Sequence, residues 1–199
     1  MLPIPAQPDA SPVAAPPNGP VSAQGFRDAV ALLAGGVAIV TCWDGEIPRG
    51  LLVSALTTVS VDPPRMLFCV RKAASAHDAL LAADHCALAI LAERDRGEAE
   101  RFSTTARSGE RFEPSRWRLD TDAPPRHRAP LVGLDGVISR RIDAGANTIF
   151  ILDVTQAQAD RDRPLVYFDR SFRSLRFTED LVAGPESLTG VTVWSASGA

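Results

Sequence analysis

Residues 50–71 read GLLVSALTTVSVDPPRMLFCVR, two apolar and β-branched runs separated by a turn. Asp62-Pro63-Pro64 ends the first run, because proline lacks a backbone N–H and is typical of turns. The second run, Met66–Arg71, follows at once. The stretch therefore predicts one long strand, Gly50–Val61, paired with Met66–Arg71 as an antiparallel neighbour.

Further strands are predicted on both sides of this pair. Gly36–Trp43 is rich in β-branched residues and ends at Asp44-Gly45, a dipeptide typical of hairpin turns. The remaining candidates are Cys86–Leu91, Leu134–Ile142, Asn147–Thr155 and Pro164–Phe168. Strands at this short spacing favour an antiparallel sheet that curls into a barrel.

Two short helices are predicted. Phe26, Val30 and Leu33 share one apolar face before Gly35-Gly36, and a second helix is expected over Ser75–Ala83. With so few helices, the predicted fold is mainly β, an antiparallel split barrel with short helices at its rim. The strand–helix alternation of a doubly wound sheet is missing and no G-x-G-x-x-G follows a strand, which argues against a Rossmann site.

The 199 residues are predicted to form one domain between two tails. Residues 1–24 are rich in Pro and Ala and predict a disordered leader, residues 25–177 the domain, and residues 178–199 a loose tail in which Val191, Val193 and Trp194 could dock. A net charge of -3 leaves no basic footprint for nucleic acid or an anionic membrane surface. No apolar run approaches the ~20 residues that span a bilayer.

The cysteines and histidines form no recognisable site. Cys42, Cys69 and Cys86 lie in apolar runs without a C-x-x-C pair, which is typical of reduced, buried thiols in a cytoplasmic protein. The three histidines lack metal-ligand spacing, so no metal site is predicted. If the chain is an enzyme, a bound cofactor is expected to carry the reaction.

Residues 93–120 are charged and are predicted to be irregular. Phe102, Phe112 and Trp117 are the expected anchors of this segment. Its mixed acids and arginines are typical of a solvated face rather than of a carboxylate dyad.

The junction VRKAASAHD, residues 70–78, is the most informative local motif. Arg71-Lys72 ends a strand, and Ser75 is predicted to begin a helix with Asp78 at capping-box spacing. Backbone N–H groups, two cations and a hydroxyl there could hold a phosphate. The alternative is an ordinary capped helix whose basic residues point into water, and Asp78 favours it by occupying the positive end of the helix dipole.

Small and hydroxylic residues interrupt the apolar strand at Ser54–Ser60. Such a mixture suits a pocket with apolar walls and a few polar groups around a flat ring. The alternative is that the threonines are there only because β-branched residues favour strands.

The order of the motifs resembles the flavin reductase domain family, NAD(P)H:flavin oxidoreductases with an FMN-binding split barrel. Six motifs carry the resemblance in the right order: Phe26–Thr41, Pro48–Ser54, Val59–Pro64, the R-K-x-x-S loop at 71–75, Phe102–Trp117 and Pro164–Phe172.

The resemblance implies a homodimer that binds FMN or FAD at the barrel edge, with NADH or NADPH as the hydride donor. It implies a reductase that supplies reduced flavin to the oxygenase of a two-component monooxygenase. The cofactor-binding residues it implies are Val53, Ser54, Ala55, Leu56, Thr57, Ser60, Lys72, Ser75, Ala76, Arg170 and Phe172.

The chain departs from the family pattern at three places. Gly145-Ala146-Asn147 stands where Gly-Asp-His is common, and Asn147, on the nicotinamide side, carries no proton at neutral pH. Leu52 replaces a usual Thr and Ala55 a frequent Ser. Two alternatives therefore stay open: a divergent flavoenzyme that acts on an organic substrate without NAD(P)H, and a non-catalytic split-barrel binding module.

Overall fold

The computed structural model describes residues 19–175, so residues 1–18 of the predicted leader and the tail with Val191, Val193 and Trp194 lie outside the described residues. The α-helices are α1 (Ala23–Ala31), α2 (His77–Ala82) and α3 (Arg96–Ser103), and two short 3-10 helices span Glu93–Asp95 and Thr105–Glu110. The strands are β1 (Gly35–Gly36), β2 (Ala38–Asp44), β3 (Ile47–Val53), β4 (Leu56–Ser60), β5 (Arg65–Arg71), β6 (His85–Ile90), β7 (Trp117–Arg118), β8 (Arg126–His127), β9 (Val132–Ala144), β10 (Asn147–Ala159), β11 (Leu165–Phe168) and β12 (Ser171–Ser174).

The main sheet has seven antiparallel strands in the order β3-β2-β6-β9-β10-β5-β4. Its two edge strands, β3 and β4, are not hydrogen-bonded to each other, so the barrel stays open on that side. Three further strands form a small sheet in the order β1-β11-β12, and β7 and β8 form a two-stranded ribbon. The predicted mainly β, antiparallel split barrel is confirmed.

The core of the barrel is apolar and closely packed. Phe68 of β5 and Phe150 of β10 are fully buried and stack with ring centroids 5.2 Å apart and an interplanar angle of 7°. A second buried cluster covers the outer face of the sheet, where Phe102, Phe112 and Trp117 pack with ring centroids 5.1–5.3 Å apart. These three aromatic residues are the predicted anchors of the charged segment.

The prediction that residues 93–120 are irregular is wrong at α3. Glu98, Ala99 and Phe102 form the buried face of this helix, while an Arg96–Glu100 ion pair lies on its exposed face. The helix was hidden because its buried face contains a charged residue and only two apolar ones, too few for a clear apolar period.

The predicted single strand over residues 50–61 is also wrong, because the chain leaves the sheet at Ser54 and Ala55. Residues before this break belong to β3 and pair with β2, whereas those after it belong to β4 and pair with β5. The pairing of β4 with β5 confirms the predicted antiparallel neighbours. The break places two exposed, small residues at the open edge of the barrel.

The two helices predicted from the sequence, α1 and α2, have different ends from those expected. The first ends at Ala31, so Leu33 lies beyond it, and no residue of α1 is buried. The second begins at His77 with Ala76 as its N-cap and without a side-chain cap, so the predicted capping box of Ser75 and Asp78 is wrong. Its six residues are too few to provide a strong helix dipole for a phosphate.

Candidate functional site

A large cavity, with a volume of about 930 Å³, lies at the open edge of the barrel. Its walls come from the β3–β4 break, the end of β5, the segment after α3, the start of β10 and the β11–β12 hairpin. A volume of this size is typical of a site for a large organic ligand.

Seven of the twelve residues predicted at the site line this cavity. They are Val53, Ser54, Ala55, Ser75, Asn147, Arg170 and Phe172. These residues come from four separate stretches of sequence, and the fold brings them together.

The other five predicted residues do not line it. They are Leu56, Thr57, Ser60, Lys72 and Ala76. Thr57 is exposed on β4, Ala76 is buried in the core, and the Ser60 hydroxyl donates to the carbonyl oxygen of Pro63. Their predicted contacts with a cofactor stay predictions.

Lys72 is held by the tip of the β9–β10 hairpin. Its ammonium Nζ lies 2.7 Å from Oδ2 of Asp143, and its backbone N–H donates to the carbonyl oxygen of Ala146 at 3.0 Å. The hydrogen bond from Lys72 lowers the pKa of the Asp143 carboxyl, and the backbone N–H of Gly145 adds to this effect. The pair therefore ties the hairpin tip to the loop that follows β5.

This tie keeps the first residue of β10 at the cavity. Asn147 is directly opposite Arg71 in the β10–β5 register, and both residues line the cavity. Arg71 is exposed, and no ion pair within residues 19–175 engages its guanidinium. From the sequence, Arg71 was one of two cations that could hold a phosphate, but it was not among the cofactor-binding residues that the resemblance implied.

The cavity has a positive lining. Arg71, Arg111 and Arg170 contribute to it, and none of the described lining residues is acidic. In a chain whose net charge is -3, this concentration of guanidinium groups favours an anionic ligand.

Arg111 fixes the wall of the cavity after α3. Its guanidinium donates to the carbonyl oxygens of Arg101 at 3.1 Å, Thr104 at 2.7 Å and Gly50 at 3.1 Å. It also stands over the Phe102 ring, 5.1 Å from the ring centroid. Burial lowers the pKa of this guanidinium. Sequence reasoning did not assign Arg111 to the site, although it lies inside one of the motifs quoted for the resemblance.

A glycine is needed at position 50, where β3 contacts the wall of the cavity that follows α3. A Cβ there would stand 3.0 Å from the Phe102 and Phe112 rings and from the Thr41 methyl group, all closer than ordinary contact. The absence of a side chain lets the aromatic cluster approach the strand.

The third arginine, Arg170, lies in the turn between β11 and β12. Asp169 and Arg170 both have positive φ, 46° and 57°, an uncommon conformation for residues other than glycine. The backbone N–H of Asp169 donates to the carbonyl oxygen of Ala31 at 2.7 Å, and the Arg170 guanidinium pairs with Asp28 of α1. Hydrogen bonds from Gln24 and then Arg170 lower the pKa of Asp28. These contacts hold the turn at the cavity rim.

Apolar groups complete the cavity. Tyr167 and Phe172 meet edge to face with ring centroids 5.5 Å apart, and Val37, Leu52 and Val53 lie on the side of β2 and β3. Apolar walls with a few cationic and polar groups suit a flat aromatic ligand with a charged tail.

The structure shows neither a metal centre nor a membrane span in its described part. No group of three or more His, Cys, Asp or Glu side chains within residues 19–175 is placed to hold a metal ion. None of the helices in that range has the length and hydrophobicity that crossing a bilayer requires.

Comparisons with known proteins agree with this geometry. The family model described as flavin reductase like domain matches residues 30–176. The FMN reductase (NADH) RutF of Stutzerimonas stutzeri is 31% identical over 160 residues, which cover 79% of this chain and 91% of the relative.

Solved structures share the fold. The flavin reductase component BorF of a bacterial two-component tryptophan halogenase is 27% identical with a TM-score of 0.71, over 79% of this chain and 100% of that one. The NADH:FAD oxidoreductase SgcE6 of Streptomyces globisporus C-1027, solved with NAD and FAD fragments, is 27% identical with a TM-score of 0.71. That match covers 85% of this chain and 99% of the other. The chain therefore belongs to the flavin reductase like domain family.

Proposed function

We propose that this protein is an NADH-dependent flavin reductase that supplies reduced FMN or FAD to a separate oxygenase. The observation that carries the proposal is the cavity of about 930 Å³ with three arginines and no acidic residue among its described lining. The proposal is supported by three similar proteins: RutF is an FMN reductase (NADH), SgcE6 is an NADH:FAD oxidoreductase, and BorF is the flavin reductase component of a two-component halogenase.

The residues that line the cavity fit a flavin. Val53 and the Tyr167–Phe172 pair offer apolar surface to the ring system, and the exposed Ser54 and Ala55 at the β3–β4 break also line the cavity. When bound, a flavin accepts a hydride from the nicotinamide, a reaction that needs no acid or base from the protein. The chain's own part is to bind and orient both rings.

Arg71 is the residue that we assign to the flavin phosphate. Arg170 is paired with Asp28, Arg111 donates to three carbonyl oxygens, and Lys72 is paired with Asp143. A guanidinium binds phosphate oxygens through two parallel hydrogen bonds, so Arg71 is suited to this role. Ser75, in the same loop, lines the cavity and offers a hydroxyl beside it.

Asn147 is assigned to the nicotinamide side. Its carboxamide can donate to the carbonyl oxygen and accept from the amide nitrogen of a nicotinamide, although it cannot carry a proton at neutral pH. The Lys72–Asp143 pair would keep this side chain at the cavity by holding the hairpin tip.

The active form is proposed to be a homodimer. Phe26 and Val30 of α1, with Leu33 beyond its end, are 57%, 43% and 76% exposed in the single chain. Apolar surface on this scale is removed from water when a second copy covers it.

The test is an aerobic assay of NADH or NADPH oxidation by the purified protein, followed by the near-ultraviolet absorbance of the reduced nucleotide, with FMN or FAD added. We expect NADH consumption that depends on the added flavin. A protein that retains flavin but consumes neither nucleotide would instead be a flavoenzyme acting on another substrate. A protein whose melting temperature neither flavin shifts would be a binding module without the cofactor.

A further inference from the structure

A second cavity, of about 210 Å³, lies on the outer face of the main sheet beneath the β7–β8 ribbon. None of its described lining residues belongs to the large cavity. Its floor consists of short side chains on three neighbouring strands: Thr41 of β2, Ala87 and Ala89 of β6, and Gly133 of β9. Short side chains on adjacent strands leave a flat hollow between the sheet and the segment that covers it.

The glycine in the floor allows two residues to close over the hollow. A Cβ on Gly133 would stand 2.9 Å from Nε2 of Gln158 and 3.1 Å from the Pro130 ring. Any larger residue would push these groups away. Gln158 and its neighbour on the same face, Gln156, thus bring two carboxamides to the rim.

The rim of this cavity carries more positive than negative charge. Arg118, Arg126 and Arg128 line it, and Asp135 is the one acidic residue among its described lining. Asp135 pairs with Arg126, with Nε and Oδ2 2.6 Å apart. Nε of Arg128 donates to the carbonyl oxygen of Pro114 at 2.8 Å, which leaves its terminal nitrogens to other partners.

Two of these arginines are cross-strand neighbours. Arg118 and Arg126 lie directly opposite each other in the β7–β8 register. Like charges in directly opposed positions destabilise a strand pair, and Asp135 can offset only one of the two. An anion bound between them would remove the remaining repulsion.

We propose that this cavity binds a small organic carboxylate of about one ring in size. Guanidinium groups hold a carboxylate through paired, charge-assisted hydrogen bonds, and the flat floor of methyl groups and glycine suits an apolar, planar body. The Arg126–Asp135 pair separates the cavity from a neighbouring one of about 430 Å³ that contains Asp84 and Asp122. These acids would repel an anion, so the carboxylate is placed at the Arg118 and Arg128 side.

Benzoate is the probe for this site, titrated calorimetrically into the full chain without flavin. We expect saturable binding of one benzoate per chain. Arg118→Ala should raise the benzoate Kd about tenfold, the effect of losing a charge-assisted hydrogen bond. Arg128→Ala should weaken binding in the same direction. The matched control is Arg140→Ala, which removes an exposed guanidinium of β9 outside the cavity and should leave the Kd unchanged.

Removal of Arg118 is not expected to unfold the chain, because this side chain is exposed and its loss relieves the cross-strand repulsion. In benzoate-free buffer the melting temperature of Arg118→Ala should therefore equal or exceed that of the wild type. A lower melting temperature would contradict the repulsion on which the site is argued.

Four further results would overturn the proposal: no saturable heat, an equal loss of affinity in Arg140→Ala, displacement of benzoate by FMN, or inorganic phosphate binding at least as tightly as benzoate. Displacement by FMN would place benzoate in the large cavity. Equal binding of phosphate would show that the rim recognises an oxyanion without the ring.

Discussion

Arg71 of β5 and Asn147 of β10 are directly opposite each other on adjacent strands, and both line the large cavity. One residue supplies a permanent positive charge and the other a neutral carboxamide. A ligand that ends in a phosphate and a ligand that ends in an amide can therefore meet at this point of the rim. In the proposed function, Arg71 would hold the flavin phosphate and Asn147 the nicotinamide carboxamide, so that one cavity binds and orients both ligands.

Arg71→Ala is expected to raise the Kd for FMN about tenfold, because one charge-assisted interaction with the phosphate is lost. Lys72→Ala should have a smaller effect, since its ammonium is paired with Asp143. Fluorescence titration with FMN measures both, and riboflavin, which has no phosphate, is the control ligand. An equal loss for riboflavin would show that Arg71 does not act on the phosphate.

Arg111→Lys is expected to raise the KM for flavin about tenfold and to lower the free energy of unfolding by about 2 kcal/mol. An ammonium cannot reach all three carbonyl oxygens, so part of the cavity wall loses its anchor. Steady-state kinetics and urea unfolding test this. Arg107→Lys, in the neighbouring exposed turn where Arg107 pairs with Glu110, is the matched control and should leave both quantities nearly unchanged.

His127 is expected to make the protein less stable in acid. Burial lowers the pKa of this imidazole, although Asp95 and Glu98 nearby partly oppose the effect and Arg116 reinforces it. The folded chain therefore holds this proton less tightly than the unfolded chain, and the free energy of unfolding should fall as the pH drops below about 6.5. Urea unfolding at several pH values in this range measures the effect. The free energy of unfolding should decrease less with falling pH in His127→Gln than in the wild type. Identical pH profiles for the two proteins would rule out this role.

Phe26→Asp is expected to convert the proposed homodimer to a monomer, because a charge would replace apolar surface on the exposed face of α1. Arg27→Ala changes a polar position of the same helix and should leave the dimer intact. Light scattering coupled to size-exclusion chromatography distinguishes the outcomes. If both variants keep the wild-type mass, α1 is not the interface.

The sequence was sufficient to predict the fold class, most strands of the main sheet and the antiparallel pairing around residues 62–64. It could not locate the break at Ser54 and Ala55, because both residue types are tolerated in strands and the break exists only through the change of pairing partner. It also missed α3, where a fully buried Glu98 is satisfied by the Trp117 indole at 2.8 Å and by Arg101 at 2.7 Å. Such partners become visible only in three dimensions.

Several of the predicted residues line the cavity because of their place in the strand order, whereas the placement of others depends on side-chain direction. Arg71 and Lys72 are adjacent, and successive residues at the end of a strand point to opposite sides. Whether Arg71 or Lys72 faces the cavity depends on the β9–β10 hairpin, because Asp143 of this hairpin forms an ion pair with Lys72. Arg111 was missed because its three partners are backbone carbonyl groups, which leave no trace in residue types.

The most direct test of the central claim is a fluorescence titration of FMN with the wild type, with Ala55→Trp and with Glu46→Trp. Ala55 is exposed and lines the large cavity, whereas Glu46 lies in the exposed β2–β3 turn away from it. If the cavity holds the flavin, the indole at position 55 should abolish saturable FMN binding, and the indole at position 46 should leave the Kd unchanged. Wild-type affinity in Ala55→Trp would contradict the account.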